Sequence, residues 1–187
     1  MKPLRPFIIG TGKVIRYNIK LGQDFFKRDV LQVAPELIGK LLVRRFDSGK
    51  VFKSQITEVE AYRGEEDQAC HASKGRTSRT EIMYHSGGHV YVYLIYGMYC
   101  MLNFVTGERD EPQAVLIRGL KAITGPGRIT RSLEIGQDFY GEDLAGSERL
   151  WIENGDQKVE VVAGPRIGID YAGEPWKTIP WRYVTNR

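Results

Sequence analysis

The sequence predicts an α+β fold, a curved and mainly antiparallel sheet with peripheral helices. Three observations carry that expectation. Strand-like segments follow one another at short spacing, clusters of Gly, Asn and Asp separate them, and helical periodicity is confined to two places. A doubly wound fold would instead alternate strands with helices along the whole chain. The 187 residues contain no internal repeat, low-complexity tract or Pro/Ser-rich linker, so one domain spanning 1–187 is expected. Roughly the first 20 residues read as a peripheral extension of it.

The elements follow in order. Residues 22–46, GQDFFKRDVLQVAPELIGKLLVRRF, read as one or two short helices split by Pro35 and running into a strand over 41–46. Further strands are expected over 51–62, 90–96, 102–106, 114–118, 149–152 and 159–163. Residues 125–136, GPGRITRSLEIG, give the clearest helix of the second half, with Ile129 and Leu133 on one face and Arg128 and Arg131 turned elsewhere.

Composition narrows the function classes. Twenty-seven Lys and Arg against 23 Asp and Glu leave a net charge of +4, which suits a polyanionic partner without proving one. Two cysteines, Cys70 and Cys100, make no disulfide framework, and a reducing cytoplasm is the plainer expectation. The N-terminal apolar run is too short for a signal peptide, and no stretch of about 18 apolar residues occurs. A soluble cytoplasmic protein is expected.

Several chemistries can be set aside. GTGK at 10–13 lacks the spacing of a phosphate loop, and His85 and His89 are separated by Ser86, Gly87 and Gly88, which make a loop. No zinc pattern is present. Cys70 reads as a core thiol. In ITEVEAY, a regular strand puts Ile56, Glu58, Glu60 and Tyr62 on one face, with the two carboxylates about 7 Å apart. A solvated edge strand accounts for that spacing. So does a cleft in which one carboxylate is a general base partnered by Arg118, and spacing alone does not choose.

The ribbon GGHVYVYLIYGMYCMLN, 87–103, poses a sharper question. Its tyrosines 91, 93, 96 and 99 leave neither face of a strand polar, as in a strand covered on both sides. Tyr96, beside Gly97 at a turn, fits a core position least.

Taken together, TEVEAYRGEEDQACHA, GRTSRTEIMY, the ribbon, AVLIRGL, GPGRIT, DLAGSERLWIE and RIGIDYAGEPWKTIPWRYV resemble the alkyladenine (3-methyladenine) DNA glycosylase family. The match runs in order over about residues 20–184. The resemblance implies one mixed α/β domain on a curved antiparallel sheet, with a β-hairpin that enters the DNA minor groove. It also implies a monofunctional enzyme that flips alkylated or deaminated purines out of duplex DNA and hydrolyses their N-glycosidic bond, initiating base excision repair. Its substrates would be 3-methyladenine and 7-methylguanine, with hypoxanthine and ethenoadenine as further candidates.

By the same resemblance, Tyr96 is the intercalating wedge, Tyr62, His71 and Tyr93 stack on the flipped base, and Asn103 excludes guanine's exocyclic amine. Glu60 activates the attacking water, Arg118 holds it, and the backbone near Ile167 completes its coordination. Arg128 and Arg131 would touch phosphates, although a solvated basic face explains them nearly as well. Tyr91 stays core and Glu58 structural. Gly119 and Lys121 stand where the family pattern suggests alanine and an acid. No metal or cofactor is implied, and the protein is expected to act as a bacterial-type monomer at the nucleoid. The residue types suit the chemistry: N3 or N7 methylation leaves a cationic purine whose bond is already weak, and neutral rings attract it by about 0.5–2 kcal/mol. Two other classes stay open: a Mg²⁺ nuclease using Glu58, Glu60, Glu65, Glu66 and Asp67, and a non-catalytic nucleic-acid-binding module.

Overall fold

Alternation in the sequence becomes one nine-stranded sheet in which every pairing is antiparallel. The computed structural model describes residues 19–155 and 159–186. The N-terminal extension expected from the sequence lies outside the described residues. Strands β1 (Leu41–Arg45), β2 (Val51–Arg63), β3 (Val90–Ile95), β4 (Tyr99–Thr106), β5 (Gln113–Leu120), β6 (Ile123–Thr124), β7 (Leu150–Glu153), β8 (Val161–Gly164) and β9 (Arg182–Thr185) form the sheet. Its main path runs β3-β4-β5-β2-β1-β7, with β6 on β5, and with β9 pairing both β2 and β8. The expected strands are all present, with ends shifted by a few residues. Strands β6 and β9 are additions: both are short and carry no periodic signal.

Strand β2 organises the sheet because its 13 residues serve three partners. Its first half pairs with β1, and its second half pairs with β5 on one edge and β9 on the other. Register shifts at Ile56/Glu58 and Glu58/Val59 insert one extra residue on each side of the β2–β5 ladder. This corrects the regular-strand reading. Ile56 joins Val59 and Ala61 in the main core instead of sharing a face with Glu58, because the bulge reverses the alternation between them.

The helices also depart from expectation in one detail. Helices α1 (Gln23–Phe26) and α2 (Val30–Leu37) break at Lys27–Asp29, and Pro35 lies inside α2. The break falls there because Asp29 caps α2, its Oδ1 accepting the Leu31 N–H at 2.8 Å, and Pro35 near the far end removes only one helical bond. Val30, Val33, Ala34 and Leu37 form the buried face of α2, which packs on β2 and β5. Helix α3 (Pro126–Ser132) starts with proline in its first turn and buries Ile129, while Leu133 just beyond it is also buried.

Two apolar clusters sandwich β3 to β5. Val90, Val92, Leu102, Phe104, Val115 and Ile117 enter the main core. Tyr91, Val105 and Ala114 face a second cluster with Cys70, Ala72, Ile82, Met83 and Tyr84, bordered by Tyr62 and Tyr93. The ribbon is apolar on both faces because both are covered. Only its end, from Leu94 to Tyr99, emerges from the body. No helix among the described residues is long and apolar enough to cross a membrane.

Phe104 is fully buried, and its ring meets Phe26 edge-on at 6.2 Å, joining the hairpin strand to α1. Phe104→Ala is expected to cost about 3–5 kcal/mol of unfolding free energy, read as a lower midpoint in urea with little change in slope.

Candidate active site

Between the two covered faces of the sheet lies a buried polar cluster with Glu60 at its centre. Its side chain is 0% exposed. Oε1 accepts the Ile167 backbone N–H at 2.7 Å and Oε2 accepts the Tyr62 hydroxyl at 2.8 Å. Arg118, entering from β5, places Nε 3.3 Å from Oε1 and donates Nη1 to Oε2 at 3.4 Å. Burial pushes the Glu60 carboxyl above the usual carboxylate range, and the Arg118 charge, the Ile167 N–H and the Tyr62 hydroxyl pull against it.

A pocket opens next to this group. Tyr62, His71, Tyr91, Tyr93, Asn103 and Tyr171 contribute to its walls. It encloses about 40 Å³, room for about one water molecule. Larger hollows exist, such as the open groove of about 620 Å³ between α3 and the hairpin and one of about 510 Å³ bordered by Glu58 and Arg182, but neither has Tyr62, His71 or Asn103 in its walls. Chemistry favours the small pocket over the large ones.

His71 opens a 3₁₀ turn (His71–Lys74) and packs edge-on against Tyr93, with ring centroids 4.5 Å apart. Its Nδ1 lies 2.8 Å from the Tyr91 hydroxyl and its Nε2 lies 3.4 Å from Nη2 of Arg79. Burial, and then the Arg79 charge, hold its pKa down at about 4, so the ring is neutral at pH 7. An Arg79 donor at Nε2 favours the tautomer with the proton on Nδ1, bonded to Tyr91. Burial likewise raises Tyr62 well above its ordinary value and Tyr93 to about 12, so both phenols stay protonated. Asn103, on β4 opposite Tyr91, donates both amide hydrogens to backbone carbonyls, Tyr91 at 3.2 Å and Met101 at 3.1 Å.

Behind Tyr62 stands a pair with no exposed side-chain surface, Arg166 and Asp67, joined at 2.5 and 2.9 Å. Arg166 also donates to the Ala61 carbonyl and stacks its guanidinium 4.8 Å from the Tyr62 ring centre. It therefore braces the ring that bonds Glu60 and the backbone just before Ile167.

The hairpin tip carries Tyr96, 83% exposed, with φ of +52°. A tyrosine in this left-handed region costs about 1–2 kcal/mol relative to glycine or asparagine, and Gly97 continues the turn at +67°. The fold thus bears strain to hold an aromatic ring out in solvent.

With that geometry in view, comparison with known proteins is decisive. The family model described as methylpurine-DNA glycosylase matches residues 24–125 and 120–187. This chain belongs to the methylpurine-DNA glycosylase family. A relative from Methanocella arvoryzae, provisionally named a 3-methyladenine DNA glycosylase, is 43% identical over 183 residues, covering 87% of this chain and 90% of its own. Relatives with the same provisional name from Psychrobacter cryohalolentis (41% over 180 residues, covering 81% and 85%) and Desulfitobacterium hafniense (40% over 192, covering 88% and 94%) are similar along most of their length. As a methylpurine-DNA glycosylase, the protein is a hydrolase of N-glycosyl bonds in DNA repair.

Six of the sequence-derived site residues gather in this glycosylase at one place: Glu60, Arg118, Tyr62, His71, Tyr93 and Asn103. Tyr96 stands apart on the hairpin tip, and Arg128 and Arg131 are exposed on α3 with no carboxylate in ion-pair range among the described residues. The carboxylates of the nuclease reading are dispersed. Glu58 and Glu60 share Arg118, Asp67 holds Arg166, Glu65 accepts Tyr84, and Glu66 meets Arg63, and no three metal-ligating side chains converge among the described residues. Cys70 is buried with its pKa raised to about 12, which removes it as a nucleophile. Residue-level reasoning missed Arg166, Arg182, Arg79 and Tyr171, and gave Asp67 only as a metal ligand of the nuclease reading. All reach the site through tertiary contacts from loops or short strands, and only the adjacency of Arg166 to Ile167 gave a signal.

The Arg166–Asp67 pair yields a stability test. Asp67→Asn leaves the buried guanidinium without its counter-charge and is expected to cost about 3–5 kcal/mol, measured by denaturant unfolding.

Proposed function

We propose that this protein removes alkylated purines, 3-methyladenine and 7-methylguanine, from double-stranded DNA by flipping the damaged nucleotide into the Tyr62–His71–Tyr93 pocket. The observation that carries this reading is a fully buried glutamate, held by an arginine and a backbone N–H and bonded to Tyr62 of an aromatic pocket wall, in a chain of this family. Glu60 takes a proton from a water molecule as that water's oxygen attacks C1′ of the sugar. The glycosidic electron pair leaves with the base, and an abasic site remains. The anionic carboxylate also steadies positive charge that develops on the sugar. No lysine of this chain lies in the described pocket wall to form a covalent sugar intermediate, which fits a monofunctional hydrolase.

The surrounding side chains have matching tasks. A neutral His71 tolerates a cationic purine where an imidazolium would repel it. Asn103, pinned by two backbone bonds, is poorly placed to swing aside for the exocyclic amine of guanine, so it disfavours that group, and 7-methylguanine, which also carries it, depends on its weakened glycosidic bond. Room for a base requires a wall to move. Tyr171 is 72% exposed and tied by one 3.3 Å bond to the Ala69 carbonyl, which makes it the least anchored ring of the wall. Arg128 and Arg131 face solvent and suit phosphate contacts beside the hairpin.

Incubation of the protein with methylated duplex DNA in EDTA tests the reading directly. Free 3-methyladenine and 7-methylguanine are the expected products, with no strand cleavage; strand cleavage that needs Mg²⁺ and stops in EDTA would favour the nuclease class, and base release that needs an added metal would overturn the reading. Glu60→Gln is expected to slow single-turnover release a hundredfold or more while lesion binding persists, and Glu58→Gln to slow it far less. Equal losses would sink the assignment of the base.

The wedge role of Tyr96 predicts a trade between stability and flipping. Tyr96→Asn relieves the left-handed strain, so the midpoint of unfolding should hold or rise. The same change removes the ring that replaces lost stacking, about 1–3 kcal/mol, and should lower the fluorescence signal of flipped ethenoadenine in duplex DNA. An unchanged signal would remove Tyr96 from the DNA interface.

A further inference from the structure

Glu58 lies outside the base pocket, yet it belongs to the same charge cluster as Glu60. Its Oε1 accepts from Nε of Arg118 at 3.2 Å and from Nε of Arg182 at 2.8 Å. Arg182 is the cross-strand neighbour of Glu60 on β9, so the two carboxylates and two guanidinium groups alternate across three strands. All four side chains are mostly buried, with Arg182 the most exposed at 29%. The two bulges in the β2–β5 ladder bring Glu58 and Arg118 together. Gly119 makes the closeness possible, since a Cβ there would fall 2.9 Å from Cβ of Glu58 and 3.0 Å from Oγ1 of Thr57. The glycine that departs from the expected alanine is thus required by Glu58.

The cluster divides one guanidinium between two carboxylates. Nε of Arg118 lies 3.2 Å from Oε1 of Glu58 and 3.3 Å from Oε1 of Glu60, and Nη1 adds a 3.4 Å bond to Oε2 of Glu60. Arg182 competes for the same Glu58 oxygen and limits how strongly Glu58 can draw Arg118 away. We propose that Glu58 and Arg182 are positioning residues which, through Arg118, set the charge felt by Glu60 and so the basicity of the reacting carboxylate. This rests on Glu60 being the base. A general base works best when its pKa is near the operating pH, and a full, undivided guanidinium on Glu60 would make it a weaker one.

The other groups facing Glu60 are accounted for. Tyr62 on β2 and Tyr93 on β3 are neutral phenols, Arg166 is neutralised by Asp67, and Tyr171 comes from the loop before β9. Neither Glu58 nor Arg182 contributes to the pocket wall, so replacing them leaves its lining residues in place.

The experiment measures single-turnover base release from methylated duplex DNA as a function of pH. Glu58→Gln removes an anion near Glu60, favours its ionised form, and should move the acidic limb of the profile down by about one pH unit. Arg182→Gln removes a cation and should move the limb up by a similar amount, while Arg182→Lys keeps the charge and should restore the parent position. A purely structural ion pair would lower the rate without displacing the limb, and coincident limbs in all three variants overturn the proposal. Titration of the parent protein labelled with ¹³C at glutamate carboxyl groups, with the Glu60 signal assigned through Glu60→Gln, decides the coupling even if a variant does not fold. A second inflection of the Glu60 signal as Glu58 ionises supports the proposal; a single inflection overturns it. A parent that releases no base would defeat the reading of Glu60 as base, while the titration still reports on the charge coupling.

Discussion

A carboxylate withdrawn from water loses hydration worth several kcal/mol unless partners replace it, and Glu60 has no exposed surface at all. Every neighbour of the site can be understood as part of that replacement. The Ile167 N–H and the Tyr62 hydroxyl each satisfy one oxygen, and Arg118 supplies the counter-charge. Each of these groups needs its own support. Arg166 and Asp67 brace Tyr62 and the backbone before Ile167, and Glu58 with Arg182 braces Arg118. The demand of one buried charge spreads through β2, β5, β9 and the loop that follows β8.

The sheet meets this demand by irregularity. A regular β2 would carry Ile56 to the same side as Glu58 and Glu60, exposing an apolar side chain to the polar cluster. The bulges turn Ile56 into the core and leave the carboxylates together. The second apolar cluster, which packs on β3 to β5 from the far side, then closes over the tyrosines and narrows the pocket to room for about one water molecule. Packing and electrostatics reinforce each other here: the same burial that raises the Glu60 pKa lowers that of His71.

Much of this was legible in the sequence because it rests on local periodicity. Alternating Val and Tyr in 90–96 announced a strand covered on both faces, and Ile129 with Leu133 announced the buried side of α3. Spacing could not separate Glu58 from Glu60, since both lie on a strand and both meet Arg118. Their difference arises from β9, a four-residue strand without a pattern of its own, and from the Ile167 N–H, which approaches from 107 residues away along the chain. The Pro35 reading failed because a cap at Asp29 outweighs a proline near a helix end. Bulges also leave no periodic trace, although Gly119 opposite Glu58 was a visible departure whose meaning needed the fold.

The stack of Arg166 on Tyr62 has a consequence for whatever binds on the ring's other face. A guanidinium on one side of a phenol polarises its π electrons toward itself, so the pocket side presents a thinner electron cloud than a bare tyrosine. Asp67 offsets part of that pull through its two bonds to the guanidinium. In the proposed reading, a positively charged purine stacked on Tyr62 would gain less than an isolated ring gives, and its advantage over an uncharged base would come from His71 and from the fragility of its own glycosidic bond, leaving the tyrosine an indifferent shelf for charged and uncharged bases alike.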